Sequence, residues 1–479
     1  MHLKHFFVEK IAHSSYLIGG RRTCAIVDPE RNVDAYMDAA RDLGLRITHI
    51  IETHLHADFV SGHIDLHERT GAAIYAPRKA RCEFDHNPVS EGDSIHIEDV
   101  RLDVLETPGH TPEHVSYVAS DTARSAKPVC VFTGDTLFVG DVGRPDLFPG
   151  VAQDLASTLH GSLHQKLLKL PDYCEVLPAH GAGSLCGRSM GAKWTSTIGY
   201  ERRFNPALRI RSIDRFVESL TVDMPPTPDH FSRCSEINRQ GPESLSELSV
   251  PVPLEPVAFR EKVASGGAIV IDVRAYDAYG AQHVPGSLSI PLEGNFPTFA
   301  GWVIPEGARI LVVADDESEV ASAVNWLRRV GLEREEAYLD GGMFAWSKAG
   351  LEASHVPQLS AGELADMLNG RDALTLLDVR AATEYAGSHI EGSINIPAPD
   401  LRTRHDEIDS RATVVTMCSS GQRSSTAASI LERQGFRSLL NVSGGYTGYA
   451  AAGFSEECTV CALPHGPRMV EARLGERRP

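Results

Sequence analysis

Thr53-His54-Leu55-His56-Ala57-Asp58-Phe59-Val60-Ser61-Gly62-His63 sets the first constraint on this chain. It follows Ile47-Thr48-His49-Ile50-Ile51, an apolar run that reads as a buried strand, and it leads into a helical pattern through Leu66. His54, His56 and Asp58 put three metal-competent side chains within five residues of a strand-to-helix loop. Imidazole together with carboxylate suits zinc, iron or manganese rather than calcium.

Around that loop the chain has 479 residues, a length that predicts about three domains, each with its own core. Hydrophobic residues at 42% and charged residues at 23% are ordinary for a soluble globular protein. The balance of 46 basic against 64 acidic residues, a net charge of −18, argues against nucleic acid or an anionic membrane as the main partner. No apolar run approaches a membrane span, and Met1-His2-Leu3-Lys4-His5-Phe6 lacks the apolar region of a signal peptide, so a cytoplasmic location is expected. Nine cysteines, scattered and odd in number, do not suggest a disulfide framework.

Taken in order, Phe6 to Val27 alternates as a β-hairpin with a turn at Gly19-Gly20, and Val33 to Leu43 is helical. Val100 to Leu105 reads as a strand ending at Thr107-Pro108-Gly109-His110. Val129-Cys130-Val131-Phe132-Thr133-Gly134-Asp135 delivers a carboxylate at a strand end, and Glu175-Val176-Leu177-Pro178-Ala179-His180 delivers another imidazole. Strand ends meeting at one sheet edge are where α/β layers place their chemistry.

His-x-His-x-Asp, then Pro-Gly-His, then Gly-Asp, then a late His, resembles the metallo-β-lactamase fold over roughly residues 1–235. Binuclear zinc hydrolases of that fold, such as glyoxalase II, carry His directly after the Asp; here Phe59 stands there, which favours a single metal. Thr133-Gly134-Asp135-Thr136-Leu137-Phe138, Gly143-Arg144-Pro145-Asp146-Leu147 and the Thr195 to Pro206 stretch are similar to the persulfide dioxygenases. That resemblance implies one Fe(II) per chain on His54, His110 and Asp135, with open positions for O2 and a substrate sulfur. His56, Asp58 and His180 would then orient ligands and bound water. His63 reads as structural. Arg144 and the Arg202-Arg203 pair are the cations nearest these motifs and the candidates to meet an anionic thiol, be it glutathione, coenzyme A or bacillithiol, with an ordinary surface or ion-pair role as the competing reading for each. Cys186, six residues past His180, is a candidate sulfur carrier near the metal, with structural burial as the competing reading.

Pro-rich Met224 to Pro228 and the Ser/Glu/Pro-rich Ser244 to Pro256 read as boundary and linker. Beyond them the chain repeats itself: Val270-Ile271-Asp272-Val273-Arg274 is echoed by Leu376-Leu377-Asp378-Val379-Arg380, and His283-Val284-Pro285-Gly286-Ser287 by His389-Ile390-Glu391-Gly392-Ser393. Both echoes lie 106 residues apart (378 − 272, 389 − 283), and a Gly-Gly closes each copy. This pattern is similar to the rhodanese family. In the second copy a strand delivers Cys418-Ser419-Ser420-Gly421-Gln422-Arg423-Ser424 to a helix. Backbone N–H groups there, Gly421's among them, favour a thiolate and then a persulfide, and Arg423 adds a fixed charge. The first copy has Ala314-Asp315-Asp316-Glu317-Ser318-Glu319 instead, so it is silent in thiol chemistry and reads as a scaffold or spacer. Cys458 and Cys461 form one Cys-x-x-Cys in the tail, short of the four ligands of a zinc site.

The expected architecture is therefore an α/β chain. A metallo-β-lactamase αββα sandwich (1–243) precedes two α/β rhodanese domains, one inactive (255–355) and one active (358–457), with a tail at 458–479. It resembles persulfide dioxygenase–rhodanese fusions. The implied chemistry is O2-dependent oxidation of a low-molecular-weight thiol persulfide to sulfite, followed by transfer of sulfane sulfur through Cys418 to give thiosulfate, in a homo-oligomer. Two rivals stand: a binuclear zinc thioester hydrolase fused to a sulfurtransferase, and a sulfur-carrier or sensor module that docks on another protein.

Overall fold

The computed structural model describes residues 1–454, apart from positions 149, 189, 223, 225, 226, 371 and 372. The Cys458/Cys461 tail lies outside the described residues. Two six-stranded sheets face each other in the first half. One runs in chain order through His2–Val8, His13–Gly19, Thr23–Val27, Arg46–Ile51, Ala73–Pro77 and Asn87–Val89. The expected hairpin is thus the last two strands of a three-stranded meander, with its Gly19-Gly20 turn in place. The other sheet runs Ser196–Thr197, Glu175–Pro178, Pro128–Gly134, Val115–Asp121, Val100–Glu106, Ser94–Ile97.

Consecutive apolar residues on these strands point to opposite faces. Ile18, Val27 and Ile51 enter the core between the sheets, with Tyr117, Cys130 and Phe132 from the facing sheet. Their neighbours Leu17, Ile26 and Ile50 pack outward under the helix Asp34–Asp42. Val131 and Val176 do the same beneath Ala152–Gly161 and Ile213–Thr221. Burial on both faces explains why the strands read as continuous apolar runs. The result is the four-layer αββα sandwich expected from the sequence.

The second half holds two five-stranded parallel sheets of the same strand order. The first is Val252–Leu254, Glu335–Leu339, Arg309–Val313, Ala268–Asp272, Leu288–Ser289. The second is Gln358–Leu359, Leu439–Val442, Thr413–Met417, Leu374–Asp378, Ile394–Asn395. One hydrophobic cluster runs through both, joining Ile271, Trp302 and Leu327 to Leu377, Leu401 and Leu431. Polar contacts add to it: Ser289 Oγ lies 2.9 Å from Ser425 Oγ, and His283 Nε2 lies 2.9 Å from Glu432 Oε2. The silent copy also touches the histidine loop. Val60 N donates to the Arg329 carbonyl at 2.6 Å, and Arg329 pairs with Glu30 at 2.8 Å. It is therefore a two-sided clamp rather than a spacer.

Candidate metal centre and sulfur-transfer loop

Four strand ends bring the first site together. His54 follows Arg46–Ile51, His110 follows Val100–Glu106, Asp135 follows Pro128–Gly134, and His180 follows Glu175–Pro178. His54, His110 and Asp135 are fully buried and offer ligand atoms within 4.8 Å of one another. Asp135 Oδ2 is 3.3 Å from His110 Nε2 and 3.8 Å from His54 Nε2, and among the described residues none of these three atoms has a hydrogen-bond partner. Their opposite atoms are all engaged. His110 Nδ1 donates to the Arg144 carbonyl at 2.8 Å, which leaves the Nε2 lone pair facing the cluster. His54 Nδ1 meets Thr53 Oγ1 at 2.9 Å, and Thr53 donates onward to Asp28 at 2.9 Å. Asp135 Oδ1 accepts from His180 Nδ1 at 2.7 Å. Three orphaned, converging, deeply buried donors of this kind fit a divalent transition metal.

Charge follows the same geometry. Burial alone would raise the Asp135 carboxyl, but His180, His110 and His54 hold it well below the usual carboxylate range. Burial would lower His180, but Asp135 and Asp58 raise it well above the ordinary imidazole value; Asp58 Oδ2 is 2.9 Å from His180 Nε2. Burial keeps His54 and His110 low, hence neutral and able to ligate.

His114 was not singled out in the sequence, and Gly134 entered only as part of the Gly-Asp motif. Asp135 N donates to His114 Nε2 at 2.9 Å, and the His114 ring stacks on His54 at 4.8 Å. Gly134 has φ +48°, and a Cβ there would sit 2.4 Å from His114 Nε2. The Pro-Gly-His110 motif carries His114 four residues on, the signal from which it was recoverable.

His56 turns to a different group, 3.3 Å from Asp28 Oδ1 and 3.7 Å from Glu52 Oε2. His63 lies against Glu52 and the Phe84 ring. Phe59 is fully buried against His13, His56 and His180, an apolar ring where a further ligand would be needed. Asp58, His180 and Cys186 cluster within 4.8 Å. Cys186 is buried beside Phe138 and Phe231, and burial with Asp58 and Asp135 pushes its thiol well up.

The cations expected to meet the substrate are placed otherwise. Arg144 is buried, pairs with both oxygens of Asp146 at 2.7 Å and donates to the Leu185 carbonyl at 3.1 Å. Its guanidinium pins the loop whose carbonyl holds His110. Arg202 pairs with Asp172 and donates to the Leu168 and Leu170 carbonyls. Asp172 precedes Glu175–Pro178 while His180 follows it, so Arg202 sits at the far end of that strand from the cluster. Arg203 lies over the Phe204 ring.

In the second half, Thr413–Met417 delivers Cys418, fully buried, to the start of the helix Gln422–Arg433. Gly421 N donates to Cys418 Sγ at 3.1 Å and Ser424 Oγ approaches it at 3.4 Å. Gly421 has φ +102°, which turns its N–H toward the sulfur. The closing Gly444-Gly445 pair is explained by φ values of +75° and +56°; a Cβ on Gly445 would fall 2.3 Å from the Cys418 carbonyl. Arg423 is buried, forks onto Glu384 at 2.7 and 2.9 Å, and donates to Ser419 Oγ at 2.7 Å. Its charge ties the loop down rather than standing free beside the thiol. In the silent copy Asp316 Oδ1 accepts from Ser318 N and Glu319 N at 2.8 and 3.0 Å.

Residues 9–180 match the Metallo-beta-lactamase superfamily, and 255–349 and 360–452 match the Rhodanese-like domain. The mitochondrial persulfide dioxygenase ETHE1 of Bos taurus is 32% identical over 234 residues, 48% of this chain and 84% of the relative. The chain belongs to the metallo-beta-lactamase superfamily. Its second half carries tandem rhodanese-like domains. A hydroxyacylglutathione hydrolase of Pseudomonas entomophila is 31% identical over 217 residues, 45% of this chain and 80% of that protein. A Staphylococcus aureus structure described as a metallo-beta-lactamase superposes with a TM-score of 0.63 at 33% identity, covering 71% of this chain and 98% of that one. Among the described residues no helix is long and apolar enough to cross a membrane.

Proposed function

We propose that this chain is an O2-dependent thiol persulfide dioxygenase coupled to a rhodanese sulfur transfer. The observation that carries the reading is the orphaned trio His54 Nε2, His110 Nε2 and Asp135 Oδ2, with Phe59 in place of a further ligand. Similarity to persulfide dioxygenases and the tandem rhodanese-like domains support it. His54, His110 and Asp135 would hold one Fe(II), which when bound would supply the redox chemistry that joins O2 to a substrate sulfur. Around it, Asp28 acting through Thr53, and the Arg144 carbonyl, fix the imidazole rings, while His114 and His180 fix Asp135. The overall reaction balances as R–S–SH with O2 and water giving R–SH, sulfite and two protons.

At the second site the Cys418 thiolate attacks the outer sulfur of a sulfane donor. A new S–S bond forms, the old one breaks, and the donor's thiolate leaves and takes a proton. The sulfur lone pair of sulfite then attacks the terminal persulfide sulfur, releasing thiosulfate and regenerating the thiolate. The same two steps run in reverse from thiosulfate. Gly421 N–H and the start of the helix Gln422–Arg433 stabilise the anionic forms. Cys186, beside Asp135, is the further candidate for carrying sulfur near the metal. The carrier is a low-molecular-weight thiol, and a cytoplasmic homo-oligomer goes with this reading.

A binuclear zinc thioester hydrolase is the second reading. It is favoured by the likeness to hydroxyacylglutathione hydrolases and by the Asp58–His180–Cys186 group beside the trio. Metal analysis of protein purified without O2 separates the two. One iron per chain with persulfide-dependent O2 uptake is expected; two zincs with thioester hydrolysis would overturn the dioxygenase.

A further inference from the structure

The silent copy reaches the sulfur-transfer loop itself. Tyr276 opens the helix Tyr276–Ala281, one residue past the Asp272-Val273-Arg274 stretch of that copy. Its ring lies against Gly421: a Cβ on Gly421 would meet Tyr276 Cε2 at 3.0 Å and Cζ at 3.1 Å. Its hydroxyl is 3.2 Å from Ser443 Oγ, on the turn that precedes Gly444 and Gly445. The same peptide that the ring backs donates the 3.1 Å bond from Gly421 N to Cys418 Sγ.

The active copy holds Ala382 at the corresponding place (382 − 276 = 106, the repeat offset), so the aromatic surface comes from its neighbour. Further along that face, a cavity of only about 20 Å³ remains between Glu293 and Phe296 of the silent copy and Gln422 and Arg423 of the active one, roughly the space of one water.

We propose that Tyr276 is a positioning residue for sulfur transfer: its ring seats Gly421 so that the Gly421 N–H faces Cys418 Sγ. A flat aromatic face against a glycine at φ +102° opposes rotation of the peptide that would swing the N–H off the sulfur. The silent copy then serves the chemistry of its partner without any chemistry of its own. The proposal rests on Cys418 being the sulfur-accepting thiol, and the experiment is arranged to test the two separately.

In the full chain, sulfur uptake on Cys418 from thiosulfate is followed as a one-sulfur mass increase, with steady-state sulfurtransferase kinetics alongside. The wild type gains sulfur at Cys418; if it does not, the sulfur-transfer reading fails irrespective of Tyr276. Tyr276→Ala is expected to slow uptake and kcat at least about tenfold with KM changed less than about threefold, as loss of a preorganised anion donor would. Tyr276→Phe keeps the ring and should restore the wild-type rate within about threefold. Persulfide-dependent O2 uptake should be unaltered in both. Tyr276→Leu, which fills most of the space without a flat face, serves if the alanine variant does not fold, and is expected to slow uptake at least about fivefold. Uptake within threefold of wild type in a folded alanine or leucine variant would overturn the positioning role, and so would a phenylalanine variant as slow as the alanine one.

Discussion

The two rhodanese-like copies share a fold and differ at one loop. Each keeps an ion pair at the end of a matching strand, Ala268–Asp272 or Leu374–Asp378: Arg274 with Asp272 at 2.7 Å and Arg380 with Asp378 at 2.6 Å. Each keeps a stacked pair, Tyr279 on His283 and Tyr385 on His389. At the strand-to-helix loop they part. In the silent copy the Asp316 carboxylate takes the N–H groups at the start of the helix Glu317–Arg329, as an ordinary N-cap does. In the copy that carries Cys418, no side chain among the described residues caps Gln422–Arg433, and Gly421 N points at the Cys418 sulfur. Both helix starts offer N–H groups to a side-chain acceptor: in one it is the Asp316 carboxylate, in the other the Cys418 sulfur. The loop's brace differs as well. Glu384 and Arg423 fork together in the active copy, while Ala278 occupies the place matching Glu384 in the silent one (384 − 106).

The largest expected effect lies outside both copies, at the His54–His110–Asp135 trio proposed to hold the metal. Asp135→Ala removes a ligand whose Oδ1 also anchors His180. Bound metal should fall from about one per chain to near zero and O2 uptake by more than about 100-fold, with thiosulfate sulfurtransferase activity retained. Metal analysis and both assays on one preparation check it.

Glu384→Ala sharpens the contrast between braced and capped loops. It strips a buried guanidinium of its fork and is expected to cost about 3–5 kcal/mol in the active copy, with loss of sulfur transfer and intact O2 uptake. Denaturant unfolding followed in parallel with the two activities measures it.

Glu335 tests the silent copy as a clamp. Burial pushes its carboxyl up to about 7, with Arg328 only partly offsetting, the nearest approach being 3.5 Å. A carboxyl raised in the folded state carries no penalty below its unfolded value and a growing one as pH climbs to about 7. Glu335→Gln should therefore match wild type near pH 4.5 and be more stable by up to about 3 kcal/mol at pH 8. Equal or lower stability at pH 8 would show that the Arg328 ion pair outweighs desolvation.

The smallest effect is expected at the capped loop. Asp315→Ala, or neutralising Glu317 and Glu319, should leave both activities within about threefold, since Asp315 and Glu317 are exposed, Glu319 is half-buried and the Asp316 cap itself is untouched. A collapse of sulfur transfer with the fold intact would give that loop a part in the chemistry.

The convergence of His54, His110 and Asp135 was legible because each lies within four residues of the end of an apolar strand, and such strand ends meet at one edge of the sandwich. The Cys418 loop and the duplication were legible for a similar reason, as local patterns recurring at a fixed offset. What escaped was pairing across the fold. Arg144 and Arg202 looked available, yet Asp146 and Asp172 hold them, and a cation's partner is decided by tertiary placement rather than by motif. Arg423 was read as a fixed charge, but the Glu384 carboxylate that fixes it was not visible in the motif. His114 escaped because its role is to receive a backbone N–H. Nothing in the sequence of the helix His230–Gln240 announced that Asn238 would clasp the His56 and Phe59 carbonyls at 2.8 Å.

The central claim is that oxidation and sulfur transfer occupy two separate centres, and Cys418→Ser tests it most directly. Serine keeps the loop's size but does not accept sulfane sulfur. Products are measured at short times, before sulfite reacts with persulfide unaided. The variant should retain persulfide-dependent O2 uptake while its product shifts from thiosulfate to sulfite. Loss of O2 uptake, or thiosulfate released at the wild-type rate, would contradict the account, and the second result would point to Cys186 as the thiol that carries sulfur.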